Sequence, residues 1–139
     1  MFNKILLAAD GSQHALRAGE RAVAIAKTNP NSEIHIVYVI DGSTSKADVL
    51  SNNGSEAIRQ KRKEKLKPIE DMLIKEDITH QFQLIHGEPG PAIVKYANEG
   101  KFDLVVIGSR GLNTLQEMVL GSVSHKVAKR VQSPVMIVK

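Results

Sequence analysis

The residues best suited to chemistry sit in two short clusters, Gly108-Ser109-Arg110-Gly111 and, after nine intervening residues, Gly121-Ser122-Val123-Ser124. Glycine has no Cβ, so a backbone built from it turns sharply and comes close to a ligand. Successive free N–H groups at such a turn, followed by a helix start, attract phosphate oxygens. Ser122 and Ser124 add hydroxyl donors, and Arg110 supplies either a charge-assisted contact or a solvated surface charge. Each glycine also has a structural reading of its own. Gly108 and Gly111 serve as a strand-to-loop turn, and Gly121 allows close helix packing.

Other chemistries find less support. Ala8-Ala9-Asp10-Gly11-Ser12 contains no G-x-G-x-x-G, and no G-x-x-x-x-G-K-[ST] occurs anywhere, so neither the dinucleotide fingerprint nor the P-loop is present. A receiver-type phosphoacceptor needs an aspartate at the end of the third strand, where this chain has His86. An acidic first loop disfavours an FMN phosphate unless a cation intervenes. The five histidines, His14, His35, His80, His86 and His125, show no spacing that brings two ligands to one helix face. With no cysteine and no G-x-S-x-G there is no evident nucleophile. Asp10 and Glu88 are the carboxylates placed near such a ligand, and neither stands out as a catalytic base.

The elements that position these residues follow from hydrophobic periodicity. Short apolar runs at Lys4 to Ala9, Glu33 to Ile40, Gln81 to His86, Asp103 to Ile107 and Val135 to Val138 predict five strands. Runs as continuous as Leu104-Val105-Val106-Ile107 are expected of parallel strands covered on both faces. Between the first two, Ala15, Leu16, Ala22, Val23 and Ala26 repeat at helical spacing, with Ser12 placed to cap the helix. Asp41 to Ser55 is rich in Gly, Ser, Asn and Asp and reads as a loop, with a helical turn around Ala47 to Leu50. A second helix carries Ile58, Leu66, Ile69 and Leu73, and Pro68 within it predicts a kink or a delayed start. Pro89 and Pro91 open a third, carrying Ile93, Tyr96 and Ala97, with Gly100 expected in the left-handed conformation at its end. Val119, Leu120, Val123, Val127 and Val131 mark the last helix.

This alternation gives an α/β fold, a doubly wound five-stranded parallel sheet of order 3-2-1-4-5 with helices on both faces. Ligands of such sheets bind beyond the carboxyl ends of the strands where the winding reverses, here between the first and fourth strands, at Asp10 and Gly108.

The chain has 139 residues, 42% hydrophobic and 24% charged, which is one soluble domain over 1–139. No apolar run is long enough for a membrane span or a secretory signal, so the expected location is the cytoplasm. The net charge of +4 permits an anionic partner without naming one. Two Tyr, three Phe and no Trp leave few side chains for stacking bases, which disfavours nucleic acid. Arg59, Lys61, Arg62, Lys63, Lys65 and Lys67 form the densest basic run, and its spread around a helix reads as a solvated face. The last strand opens with Pro134 and is apolar, so as a sheet edge it needs a cover.

From Gly108 to Ser122 the chain has the form Gly-x2-Gly-x9-Gly-Ser, which resembles the nucleotide-binding signature of the universal stress protein family. Asp10-Gly11-Ser12 resembles that family's opening motif and Gly87-Glu88-Pro89 its middle one. Ser133-Pro134-Val135-Met136-Ile137-Val138 is similar to its last strand. The resemblance covers essentially the whole chain. It implies a Rossmann-like, adenine nucleotide alpha hydrolase-like fold and a site for ATP built from Ala9, Asp10, Val39, Gly108, Ser109, Arg110, Gly111, Gly121, Ser122, Val123 and Ser124. In it, Asp10 faces the ribose or phosphates and helps hold Mg²⁺, with a helix-capping carboxylate as the plainer alternative. The backbone of Val39 reads the adenine edge while its side chain packs in the core. The resemblance also implies a homodimer through Val135 to Val138. The function expected is a nucleotide-dependent switch in stress response that orders the Gly111 to Leu120 loop and acts through a protein partner. The alternatives are a slow ATPase or autophosphorylating enzyme and a nucleotide-free interaction protein.

Overall fold

The computed structural model describes residues 2–40, 54–110 and 121–139. The expectations for Asp41 to Asn53, for Gly111, and for Val119 and Leu120 lie outside the described residues. The elements in chain order are β1 (Lys4–Ala8), α1 (Gln13–Ala26), β2 (Glu33–Ile40), α2 (Gly54–Lys75), β3 (Thr79–His86), α3 (Pro89–Gly100), β4 (Leu104–Gly108), α4 (Ser122–Arg130) and β5 (Val135–Val138). All five strands are parallel and lie in the order β3-β2-β1-β4-β5, as the periodicity predicts. Each strand boundary falls within two residues of the expected one.

The strands alternate their side chains between two helical layers. Ile5, Leu7, Ile34, Ile36, Leu104 and Val106 face α1 and α2, where Ala18, Ala22, Leu66, Ile69 and Leu73 complete one buried cluster. Leu6, Ala8, Val37, Val105 and Ile107 face α3 and α4 and bury Ile93, Ala97, Val127 and Val131. The alanine stripe of α1 is the reason that helix lies so close to the sheet, since methyl groups keep its axis near the strands. Full burial of one such Ile or Leu stabilises the fold by about 2 kcal/mol.

Three expectations change. Pro68 neither delays nor ends α2, which already runs from Gly54, so Gly54 and Ser55 belong to the helix rather than the loop. Pro68 is exposed, and Leu66, Ile69 and Leu73 are buried to either side of it, so packing holds the helix across the missing N–H. At the end of α3 the left-handed residue is Lys101 (φ 54°, ψ 56°), not Gly100. Gly100 remains helical, and its lack of a side chain makes room for the ring of the buried Phe102, which a Cβ would overlap.

The basic run on α2 is solvated as expected where its side chains are described: Lys61, Lys63, Lys65 and Lys67 are exposed. β3 and β5 form the sheet edges, and Met136 on β5 is 36% exposed. No helix among the described residues is long and apolar enough to cross a membrane.

Candidate functional site

The chain leaves β1 through Ala9, Asp10, Gly11 and Ser12. Ala9 N–H donates to Val37 O (3.0 Å), extending the ladder one step beyond the strand. Asp10 Oδ1 then accepts from Ser12 N–H (2.9 Å), and Gly11 takes φ +86°, a conformation that disfavours any side chain. Ser12 caps α1 as predicted, its Oγ accepting from Ala15 N–H (3.1 Å). Asp10 is therefore not the helix cap of the plainer reading: it closes a turn ahead of the cap, which is Ser12. One N–H does not saturate a carboxylate, which offers about four lone-pair sites.

The second half of the site is built where β4 ends. A Cβ at Gly108 would stand 2.8 Å from His14 Cβ and 2.9 Å from the His14 carbonyl carbon and oxygen, so the first turn of α1 rests directly on this glycine. Ser109 N–H donates to Val138 O (2.8 Å), and Ser109 O accepts from Gly121 N–H (2.8 Å). Gly121 is the N-cap of α4 and brings no capping side chain, so the first-turn N–H groups of Ser122, Val123 and Ser124 have no intrahelical acceptor. A Cβ at Gly121 would meet Ser109 O at 3.2 Å, which is tight, so this glycine too has a packing role. The N-termini of α1 and α4 therefore reach the same strand end from opposite faces of the sheet. Their aligned dipoles make that point attractive to an anion.

Ser124 departs from its expected part. Its side chain is buried (2% exposed) and its hydroxyl donates to Gly108 O at 2.5 Å, fastening α4 to β4. The Ser122 side chain, by contrast, is exposed. Arg110 is half-buried beside them.

Val39 lies on β2, partly buried against the α3 and α4 layer. Along a strand the backbone N–H and C=O groups of alternate residues point the same way. Val37 O points toward β1, where it meets Ala9 N–H, so the Val39 backbone points to the same side. There β1 has already ended, since its last paired residue is Ala8, opposite Val37.

Sequence reasoning missed His14 by grouping it with the scattered histidines. Its Nδ1 lies 3.1 Å from Arg17 Nη2 and 3.4 Å from Ser109 Oγ. Arginine only donates, so Nδ1 is the acceptor and the neutral ring carries its proton on Nε2. Burial, together with the Arg17 and Arg110 cations, lowers its pKa below the usual 6.5, and Asp10 opposes them in part. The available signal was position: two residues after a capping Ser12, in the first βα turn of a doubly wound sheet, a side chain stands at the switch point.

These donors suit an anionic, phosphate-bearing group: two helix N-termini, a glycine-lined approach, Ser122 and Arg110. Among the described residues no three His, Cys, Asp or Glu side chains gather to hold a metal. The lone pairs that Asp10 keeps beyond its bond from Ser12 N–H would suit a hard cation otherwise held by phosphates and water, as Mg²⁺ commonly is.

Comparison with known proteins agrees with this architecture. The model of the universal stress protein family matches residues 1–139. Universal stress protein YxiE of Bacillus subtilis is 36% identical, with 100% of both chains covered. Among solved structures, hypothetical protein MJ0577 superposes with a TM-score of 0.86 at 29% identity, covering 100% of this chain and 96% of that one. A universal stress protein crystallised in complex with cAMP superposes with a TM-score of 0.73 at 31% identity, covering 99% and 97%. With the family model matched end to end and a relative of this identity aligned along its full length, the chain belongs to the universal stress protein family.

Proposed function

We propose that this protein binds ATP across the carboxyl ends of β1 and β4 and acts as a nucleotide-dependent switch in stress response, read by a protein partner, rather than as a fast enzyme. The observation that carries this reading is the convergence of α1 and the uncapped α4 on Gly108 and Ser109. The triphosphate lies against the N–H groups of Ser122, Val123 and Ser124, with Gly108, Ser109, Arg110, Gly111 and Gly121 lining its approach. Asp10 takes the ribose or, with the phosphates, Mg²⁺. The adenine edge meets the backbone of Val39, whose orientation beyond the end of β1 supports that role, and Ala9 borders it. A relative solved with cAMP supports the adenine nucleotide class. Among the side chains so placed none is arranged as a general base, which favours binding over turnover.

The protein works in the cytoplasm as a two-fold homodimer in which β5, Val135 to Val138, covers its partner's edge. Native mass spectrometry of the purified protein, before and after incubation with ATP and Mg²⁺, tests the reading. Retained, unhydrolysed ATP on a dimer is the expected result. Released ADP or a phosphorylated serine converts the protein into an enzyme, and failure to bind any adenine nucleotide overturns the site.

A further inference from the structure

We propose that His14 is a further contact of the nucleotide's phosphate, neutral in the free protein and protonated in the complex, so that ligand binding takes up a proton. This inference rests on the nucleotide reading above and deepens it. His14 stands where the ligand must approach, because the missing side chain of Gly108 lets its backbone press against the end of β4. Its ring reaches Ser109, the residue whose carbonyl accepts from Gly121 at the start of α4.

The charges facing the ring come from every neighbouring element. Arg17 lies one turn along α1, Asp10 precedes that helix, Ser109 and Arg110 follow β4, and the Lys139 carbonyl after β5 accepts from Arg17 Nε (2.9 Å). After burial, Arg17 and Arg110 weigh against a charged ring here, and Asp10 offsets them in part. The N-terminus of α1 adds its own partial positive charge, since His14 sits in the first turn. Burial, Arg17, Arg110 and the helix terminus oppose an imidazolium in the free protein while Asp10 favours it, and a bound phosphate adds to the side of Asp10.

The change in hydrogen bonding can be followed atom by atom. In the neutral ring Nδ1 accepts from Arg17, and the Nε2–H has no acceptor among the described residues. A proton taken from solvent enters at Nδ1 and makes it a donor, for which the Ser109 hydroxyl oxygen is the acceptor at hand. Arg17 Nη2 loses its acceptor and turns its N–H groups to the phosphate, its Nε still held by Lys139 O. The Nε2–H donates to a phosphate oxygen. One proton uptake thus aligns two side chains on the ligand.

The test is isothermal titration calorimetry in EDTA, between about pH 5 and about pH 8, in buffers of differing ionisation enthalpy. It compares the unmodified protein with His14→Gln, which keeps an acceptor for Arg17. Both ATP and cAMP are used, because the phosphodiester of cAMP does not titrate in this range. The unmodified protein should take up a proton and bind more tightly as pH falls, about tenfold for each unit by which the ligand raises the His14 pKa. His14→Gln should bind either nucleotide with no such uptake and a flat cAMP profile. In parallel, NMR of the unmodified protein should show the His14 ring titrating at higher pH when nucleotide is saturating, a readout independent of how the variant folds. Equal uptake in both proteins, or an unmoved His14 titration, overturns this proposal and leaves nucleotide binding standing. Absence of binding by the unmodified protein at any pH overturns both.

Discussion

Replacing Gly108 by alanine separates what this glycine does for the fold from what it does for a ligand. Its φ lies outside the left-handed region that favours glycine, so the backbone itself tolerates a side chain. The obstacle is His14: three of its atoms, two of them backbone, would lie 2.8–2.9 Å from the new methyl. Neither β4, hydrogen-bonded to β1 and β5, nor the capped start of α1 moves freely, so relief requires α1 to lift from the sheet. Overpacking of this kind costs about 1–3 kcal/mol. The reduced freedom of the unfolded chain returns about 0.4–1 kcal/mol. The net loss is about 1–2 kcal/mol, and for a 139-residue domain it lowers the midpoint of thermal unfolding by about 3–7 °C. Urea unfolding without nucleotide measures the free energy directly, and calorimetry on the folded fraction measures ATP affinity. Unchanged stability with weakened ATP binding would falsify the packing argument and make Gly108 a ligand residue alone.

Three further outcomes can be checked on the nucleotide-free protein. Lys101→Gly should stabilise the chain by about 1 kcal/mol in urea, because Lys101 holds a left-handed conformation at φ 54° that glycine adopts without strain. Ser12→Ala removes the acceptor for Ala15 N–H and should cost about 1 kcal/mol, read from the urea midpoint; a neutral result would mean that the Asp10 turn alone holds the start of α1. The lowered pKa of His14 means that as pH falls from 6.5 toward its folded value the unfolded chain binds more protons than the folded one. The contribution of His14 to stability is therefore complete above that pH and is lost as pH falls through its folded value. Urea midpoints across the range should fall on acidification, and His14→Gln should remove part of that fall.

Much of the fold is legible in the sequence because burial leaves a local trace. A run such as Leu104-Val105-Val106-Ile107 has to be covered on both faces, and all four residues are buried between helical layers. The Ser12 cap is equally local, since donor and acceptor lie three residues apart. What escapes is set by partners distant in sequence. Gly100 lies near a helix end, where glycine serves either as a left-handed residue or as room for a neighbour, and only the ring of Phe102 decides between them. The hydroxyl of Ser124 is legible as a donor, whereas its target, Gly108 O, is 16 residues away on another element. His14 is the extreme case. Its position on α1 follows from periodicity, but its contact with Ser109 spans 95 residues and exists only because β4 lies beside β1.

The packing role of the glycines and the proposed binding role rest on one physical cause. A Cβ at Gly108 would hold α1 away from β4, and one at Gly121 would press on the Ser109 carbonyl at the start of α4. Absence of both side chains is what allows two helix N-termini to meet at a single strand end, and that meeting is what makes the point attractive to an anion. A net charge of +4 conveys nothing of this, because the exposed lysines of α2 are spread around a solvated helix while the uncapped N–H groups of α4 carry no formal charge. The same closeness brings His14 to Ser109, and burial with the Arg17 and Arg110 cations lowers its pKa, so the packing at Gly108 and the titration of this imidazole are linked. Packing variants at Gly108 should therefore move two observables together, stability and the His14 titration, whereas a variant confined to the ligand surface, such as Ser122→Ala, should move neither in the nucleotide-free protein.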